Sequence, residues 1–339
     1  MRIKTPLSLV LGILIVVFCL WYVGLENLLG VILKVKPVYF LYIFLIIVLV
    51  YTIRTFCWYN ILKTMNASVS GKKLYLYLIF GGFIDILTIA KIGDLTRSFL
   101  LKKNHKIPYV TGIVSIIFEH FLDLISLFLI VAFTFYFVLN FSNVVFLQNT
   151  SLLFIFGFLF FIIALIFILM LLLAFKKGFF LKVVNRLVIR FSEVFRNKSQ
   201  EIIEEASSKL RALFKDKSNM TILVLQMLLS WIFGAPIYYF IFLSVGIKPS
   251  ILIIFLCMST VSLIRIFPLT PNNLGTYEAS LVFILTSFGI SPEIALTISL
   301  LDHSLRTIIV SVLGTICSYK IGFNILQALD LKEMVKETI

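Results

Sequence analysis

Apolar residues along this chain gather in long runs, without the strict alternation of a half-buried strand. The runs Leu7 to Val23, Val38 to Leu62, Val110 to Leu139, Ser151 to Phe175, Met220 to Val245 and Ala295 to Tyr319 approach or exceed the roughly 20 residues that cross about 30 Å of hydrocarbon. They predict six full membrane spans. An opening apolar run after Arg2 and Lys4 resembles a signal peptide, but it is long and no small-residue cleavage site follows before Glu26, so it reads as the first span.

Two further apolar stretches are broken. Leu74 to Ala90 contains Gly81-Gly82 and Asp85 and runs into Lys91-Ile92-Gly93-Asp94. Cations flank it on both sides, with Lys63, Lys72 and Lys73 before it and Lys102, Lys103 and Lys106 after it. Cytoplasmic loops carry the excess of Lys and Arg, so this stretch is expected to enter the membrane and return to the face it left. The second stretch, Ile251 to Phe267, breaks at Pro268-Leu269-Thr270-Pro271-Asn272-Asn273-Leu274-Gly275 and resumes from Thr276 to Ile290. It follows an outer turn holding Lys248 and reads as a hairpin entered from outside. Non-helical backbone at membrane depth is tolerated only where protein or water satisfies it.

The expected fold is therefore an all-α polytopic membrane protein with six full spans, two re-entrant helical hairpins from opposite faces, and both termini in the cytoplasm. Hairpins entering from opposite faces are what an inverted repeat produces.

Composition fits this picture. The chain is 61% hydrophobic and 14% charged, with a mean hydropathy of +1.10, which leaves too little polar surface to cover a soluble globule. One transmembrane domain over residues 1–339 is expected, in the cell (plasma) membrane. The net charge of +14 is explained by cytoplasmic cations, and no nucleic acid partner is implied. Residues 176–218 hold eleven Lys and Arg against five Asp and Glu and form a basic cytoplasmic connector. Its apolar positions recur at helical spacing, among them Ala206, Leu210 and Leu213, which suits an amphipathic helix on anionic inner-leaflet lipids. Cys19, Cys57, Cys257 and Cys317 lie scattered in apolar segments, so neither a disulfide frame, a metal site nor a cofactor is expected.

Candidate chemistry lies in charges where a spanning helix should have none. An ionised side chain at mid-bilayer costs at least about 2.5–3.5 kcal/mol on insertion scales, so such groups face a partner or a polar path. Here they are Arg54, Asp85, Asp94, Arg97, Glu119, His120, Asp123, Arg265, Glu278, Asp302, His303 and Arg306. Glu119 and Asp123 share a helical face and call for a cation from elsewhere, with Arg97 and Arg54 the nearest candidates; Asp302 and Arg306 share a face and can neutralise each other. Arg265 and Glu278 flank the second break and are placed to pair across it. Each charge taken singly could equally pin helices together by a salt bridge.

These residues resemble a known family. Gly93-Asp94-Leu95-Thr96-Arg97 followed by Glu119-His120-Phe121-Leu122-Asp123 is similar to the first signature of the flippase-like membrane domain. That domain is shared by lysylphosphatidylglycerol synthase/flippase proteins, YbhN-type proteins and archaeal dolichol-linked glycosylation proteins. Pro268 to Glu278 is similar to its second signature. His120 stands where the family usually has Arg, Ala90-Lys91 replaces a Pro, and Asn272-Asn273 replaces Gly-Gly.

The resemblance implies a lipid flippase: transport of a polar- or phosphate-headed phospholipid, polyprenyl phosphate or aminoacylated lipid between leaflets. Arg97 and Arg265 would hold phosphate or carboxylate. Asp94, Glu119, Asp123, Glu278 and Asp302 would position the arginines or contact a cationic head group, Arg306 is a further substrate-binding candidate, and His120 and His303 are candidates for relaying protons. Two other functions stay open at this point. An intramembrane enzyme acting on a lipid-linked substrate lacks any catalytic motif, and a scaffold for a glycosyltransferase complex would use the basic connector. The membrane lipid is the expected partner, and homodimerisation stays open.

Overall fold

A computed structural model describes residues 4–88, 91–141, 205–206, 208–266, 269–323 and 325–329, with isolated positions 157, 161, 164, 165 and 168. Among the described residues the only regular elements are helices. Four of them, Val38–Thr64, Tyr109–Thr134, Lys217–Ser244 and Pro292–Ile321, are long and apolar enough to cross a membrane; a bent pair at the N-terminus makes five. The expected span from Ser151 to Phe175, and the connector up to residue 204, lie outside the described residues apart from those isolated positions.

The chain begins with α1 (Lys4–Val23), which breaks at Gly24. There a positive φ of 83° turns α2 (Leu25–Ile32) away at 87°, a conformation that glycine adopts without steric cost. α2 forms because it buries Leu28 beside Cys19 and Val23.

α3 (Val38–Thr64) and α7 (Lys217–Ser244) run antiparallel along their lengths. Thr64 meets Asn219, Asn60 meets Gln226, and Tyr42 stacks on Phe240 at 5.0 Å. Between them in sequence come α4 (Gly71–Leu87), α5 (Ile92–His105) and α6 (Tyr109–Phe141). α4 and α5 fold back on each other, since Tyr77 reaches Asn104 and His105 while Asp85 reaches the Gly93 amide. The backbones approach so closely that a Cβ on Gly93 would collide with the Gly81 carbonyl; small residues at such crossings are what pack helices when lipid offers no hydrophobic drive.

After α7 come α8 (Ile251–Ile266), a 3-10 turn Pro271–Asn273, α9 (Thr276–Ser287), α10 (Pro292–Ile321) and α11 (Ile325–Leu329). α8 and α9 also fold back on each other, with Leu256 against Ile284 and Arg265 over Tyr277. Asn272 and Asn273 at the turn have φ of 52° and 58°. Asn is the non-glycine residue that best tolerates this left-handed region, so the pair fills the backbone role of a Gly-Gly.

The two helical pairs pack on opposite ends of α10. α9 covers its first half through Leu281, Leu285, Ala295 and Leu296, and Asn272 at the turn reaches Thr307 at 2.8 Å. α4 covers its second half through Phe80, Phe83, Val310 and Cys317. The tips therefore meet near the middle of α10, where the 3-10 turn also touches α4 and α1. A Cβ on Gly275 would come within 2.5 Å of the Gly12 carbonyl oxygen of α1.

Exchanging α3–α6 with α7–α10 leaves the packing scheme unchanged. α4 lies on α10 as α8 lies on α6, and α5 lies on α6 as α9 lies on α10. The end of the basic connector is packed into the bundle, with Ala206 and Leu213 buried among Cys57, Ile61, Met65, Phe118 and Phe121. Lys209 donates to the Met65 carbonyl at the C-terminus of α3, where helix carbonyls lack partners.

Candidate functional site

Four helices bring the first group of charges together near their middles. Glu119 and Asp123 lie one turn apart on α6 and face α3 and α5. Arg97 of α5 places Nη2 2.5 Å from Glu119 Oε2 and Nη1 3.3 Å from Asp94 Oδ1. Its guanidinium lies 4.0 Å from the Trp58 ring centroid, a cation–π contact that strengthens when desolvated. Trp58 in turn donates its indole N–H to Ser115 at 3.0 Å.

Arg54 of α3 grips Asp123 with both terminal nitrogens, Nη1 to Oδ1 at 3.1 Å and Nη2 to Oδ2, and reaches Glu119 Oε1 at 3.5 Å. Trp231 of α7 donates to Asp123 at 3.1 Å. Glu119 thus lies between two arginines, and both of the cations the sequence offered are used. Asp94 turns its second oxygen to His120 Nε2 at 2.7 Å. Asp85 caps the start of α5 by accepting from the Gly93 amide at 2.8 Å, satisfying a donor that helix geometry leaves open.

The second group centres on α9 and α10. Glu278 bends back to accept the Gly275 amide at 2.7 Å, closing the first turn of α9. Its other oxygen lies 2.5 Å from His303 Nδ1. The His303 ring stacks on Tyr277 with centroids 4.5 Å apart. Tyr277 donates its hydroxyl to Asp302, which also accepts from Arg306 Nε at 2.6 Å, the same-helix pair its spacing implies. Arg306 lies 5.3 Å from the Tyr238 ring.

The expected pairing of Arg265 with Glu278 is absent. Among the described residues Arg265 has no carboxylate within salt-bridge distance; its guanidinium lies 5.8 Å from the Tyr277 ring and its side chain is exposed. Arg54, Arg97 and Arg306 each hold at least one acid.

Accessibility divides the charges. Arg97, Glu119, Glu278, Asp302 and His303 are buried. Arg54 and Arg306 keep 24% and 20% of their side chains open, and His120 keeps 35%. Tyr51 of α3 lies between the groups, close to Gly82 and within Coulombic reach of Arg54, Arg265, Arg306 and Asp85. Tyr51, Trp58, Trp231, Tyr238 and Tyr277 escape the sequence reading, because an aromatic in an apolar span looks the same whether it faces lipid or covers an arginine. The four cysteines are buried and apart, and no metal-holding cluster occurs among the described residues.

The model of the lysylphosphatidylglycerol synthase TM region matches residues 9–314, nearly the whole chain and both charged groups. The chain belongs to this family. It is also 26% identical to a UPF0104 membrane protein of Methanocaldococcus jannaschii, over 92% of this chain and 94% of the relative. A UPF0104 membrane protein of Pyrococcus horikoshii is 24% identical over 94% and 97% of the two chains, and one of Methanothermobacter thermautotrophicus 21% identical over 97% and 99%. No solved structure matches the chain. In this member of the lysylphosphatidylglycerol synthase TM family the first group joins acids and arginines of α3, α5 and α6, whereas the second joins Glu278 to His303 across α9 and α10 and pairs Asp302 with Arg306 within α10.

Proposed function

We propose that this protein moves a lipid with an anionic, phosphate-bearing head group between the leaflets of the cell membrane. Arg265 carries the reading: it is an exposed guanidinium at a helix break with no carboxylate within salt-bridge distance among the described residues. An arginine kept in a membrane segment without an acid is poised for an anion from outside the protein, and its planar fork matches phosphate oxygens.

In this reading the two antiparallel helical pairs are re-entrant hairpins from opposite faces, six spans surround them, and both termini are cytoplasmic. The exchange symmetry of the packing supports an inverted repeat, a plan in which sites near the midplane become open to either side in turn. Arg265 and the partly open Arg306 receive the phosphate on one side of Tyr51, and Arg54 receives it on the other. Arg97, Asp94, Glu119, Asp123, Glu278 and Asp302 hold these side chains in place. The lipid chains remain in the bilayer while the charged head group passes.

The test is relocation of fluorescent lipids in phosphatidylcholine vesicles containing the full chain, read by dithionite quenching. Labelled phosphatidylglycerol and a labelled polyprenyl monophosphate should equilibrate across the bilayer faster than labelled phosphatidylcholine. Equal rates for all three, or rates matching protein-free vesicles, would refute the proposal.

A further inference from the structure

Among the described residues, the Glu278–His303 pair is the fully buried charged contact that contains no arginine. Both side chains are buried, they come from different helices, and Glu278 is tied to the α9 start through Gly275. With Nδ1–H donating to the carboxylate, His303 Nε2 carries a lone pair, and that buried atom has no hydrogen-bond partner. The His303 side chain is only 7% exposed. A buried polar atom left without a partner is rare in a folded protein and calls for an explanation.

The charge states of the pair supply one. A carboxylate beside a neutral imidazole leaves one buried negative charge, and a proton on Nε2 removes it. Burial disfavours a net charge, so the pair takes a proton or depends on a nearby cation.

The groups around it decide which. Tyr277 stacks on the ring, and Asp302 is already occupied by Tyr277 and Arg306. Tyr238 of α7 covers Arg306, and Cys19 of α1 lies within Coulombic reach of Glu278. Tyr51 of α3 lies within reach of Arg265 and Arg306. Asp85 of α4 caps α5. The one cation in this group without an acid is Arg265, against the same Tyr277 ring as His303.

We infer that the Glu278–His303 pair is the proton-binding site of a proton–lipid symport, an assignment that rests on the transport reading above. When Arg265 is empty, its charge offsets the bare carboxylate. When a phosphate occupies Arg265, that offset is lost and His303 Nε2 takes a proton. Proton and phosphate then bind with positive, reciprocal coupling. The proton enters from the acidic side with the head group and leaves to the alkaline side when the phosphate leaves Arg265. A singly charged head group and one proton cross together without net charge.

His120 does not suit this task. Its Nε2 is engaged by Asp94 and a third of its side chain is open.

The experiment uses the full chain in phosphatidylcholine vesicles with labelled phosphatidylglycerol as probe, under a stable gradient of about one pH unit. With one proton per lipid, the probe should accumulate on the alkaline side by up to about tenfold, and nigericin should return it to equality. A His303→Gln protein that elutes as a single folded species should still relocate the probe but leave it equally divided at any gradient. A parent protein that relocates the probe but divides it equally despite the gradient would overturn the symport and leave transport standing. Absence of relocation would overturn both. A folded His303→Gln protein that moves no lipid, or that still responds to the gradient, would contradict the assignment to this pair.

Discussion

Arg97 Nη2 lies 2.5 Å from Glu119 Oε2 with both side chains buried, so each is the other's principal counter-charge. Removing one partner of a buried pair leaves an uncompensated charge and costs about 3–5 kcal/mol, whereas removing both costs far less. Arg97→Ala should therefore lower the melting temperature of the detergent-purified protein sharply. Adding Glu119→Gln to it should recover part of the loss. Additive losses in the double variant would contradict the pairing.

Gly275 has φ of 82° and its Cα faces the Gly12 carbonyl. Alanine there must both strain the backbone and displace α1, at a cost of about 1–3 kcal/mol by the measure of overpacked cores. Gly30 is helical with nothing within 4 Å of a new Cβ, so Gly30→Ala should leave thermal stability unchanged or slightly raised. Paired melting curves of the two variants check this, and equal behaviour would count against the close approach of α1 to the turn.

The two asparagines of the turn should respond differently. Asn273 Oδ1 makes no hydrogen bond and the backbone has φ of 58°, so glycine should be accepted at Asn273 while alanine costs about 1–2 kcal/mol. Asn272→Gly gives up the bond to Thr307, worth about 0.5–1.5 kcal/mol. Chemical denaturation or melting of the three variants gives the order Asn273→Gly, Asn272→Gly, Asn273→Ala from most to least stable.

The helices were largely readable from run length and from where cations lie, because lipid imposes one strong rule on every segment. α2 was hidden: Leu25 to Ile32 is short, and only the positive φ at Gly24 shows that α1 turns there. Pairings within one helix were also readable, since spacing alone puts Asp302 beside Arg306. The demand of Glu119 and Asp123 for outside cations was legible too, and Arg97 and Arg54 meet it. The partner of Glu278 was not. Its carboxylate caps its own helix and then meets His303 on the next one, and that choice depends on how α9 lies on α10, which no local pattern encodes. Arg265 lost its expected acid for the same reason.

The transport reading stands most directly on Arg265. Because Arg265 is exposed and makes no salt bridge among the described residues, Arg265→Ala should melt within about 2 °C of the parent, a change on the order of 1 kcal/mol for a chain of this length. Dithionite-monitored relocation of labelled phosphatidylglycerol in vesicles containing that variant should then run at least about tenfold slower than with the parent, with Arg265→Lys intermediate, since a lysine keeps the charge and loses the fork. A stably folded Arg265→Ala protein that relocates the lipid as fast as the parent would contradict the account.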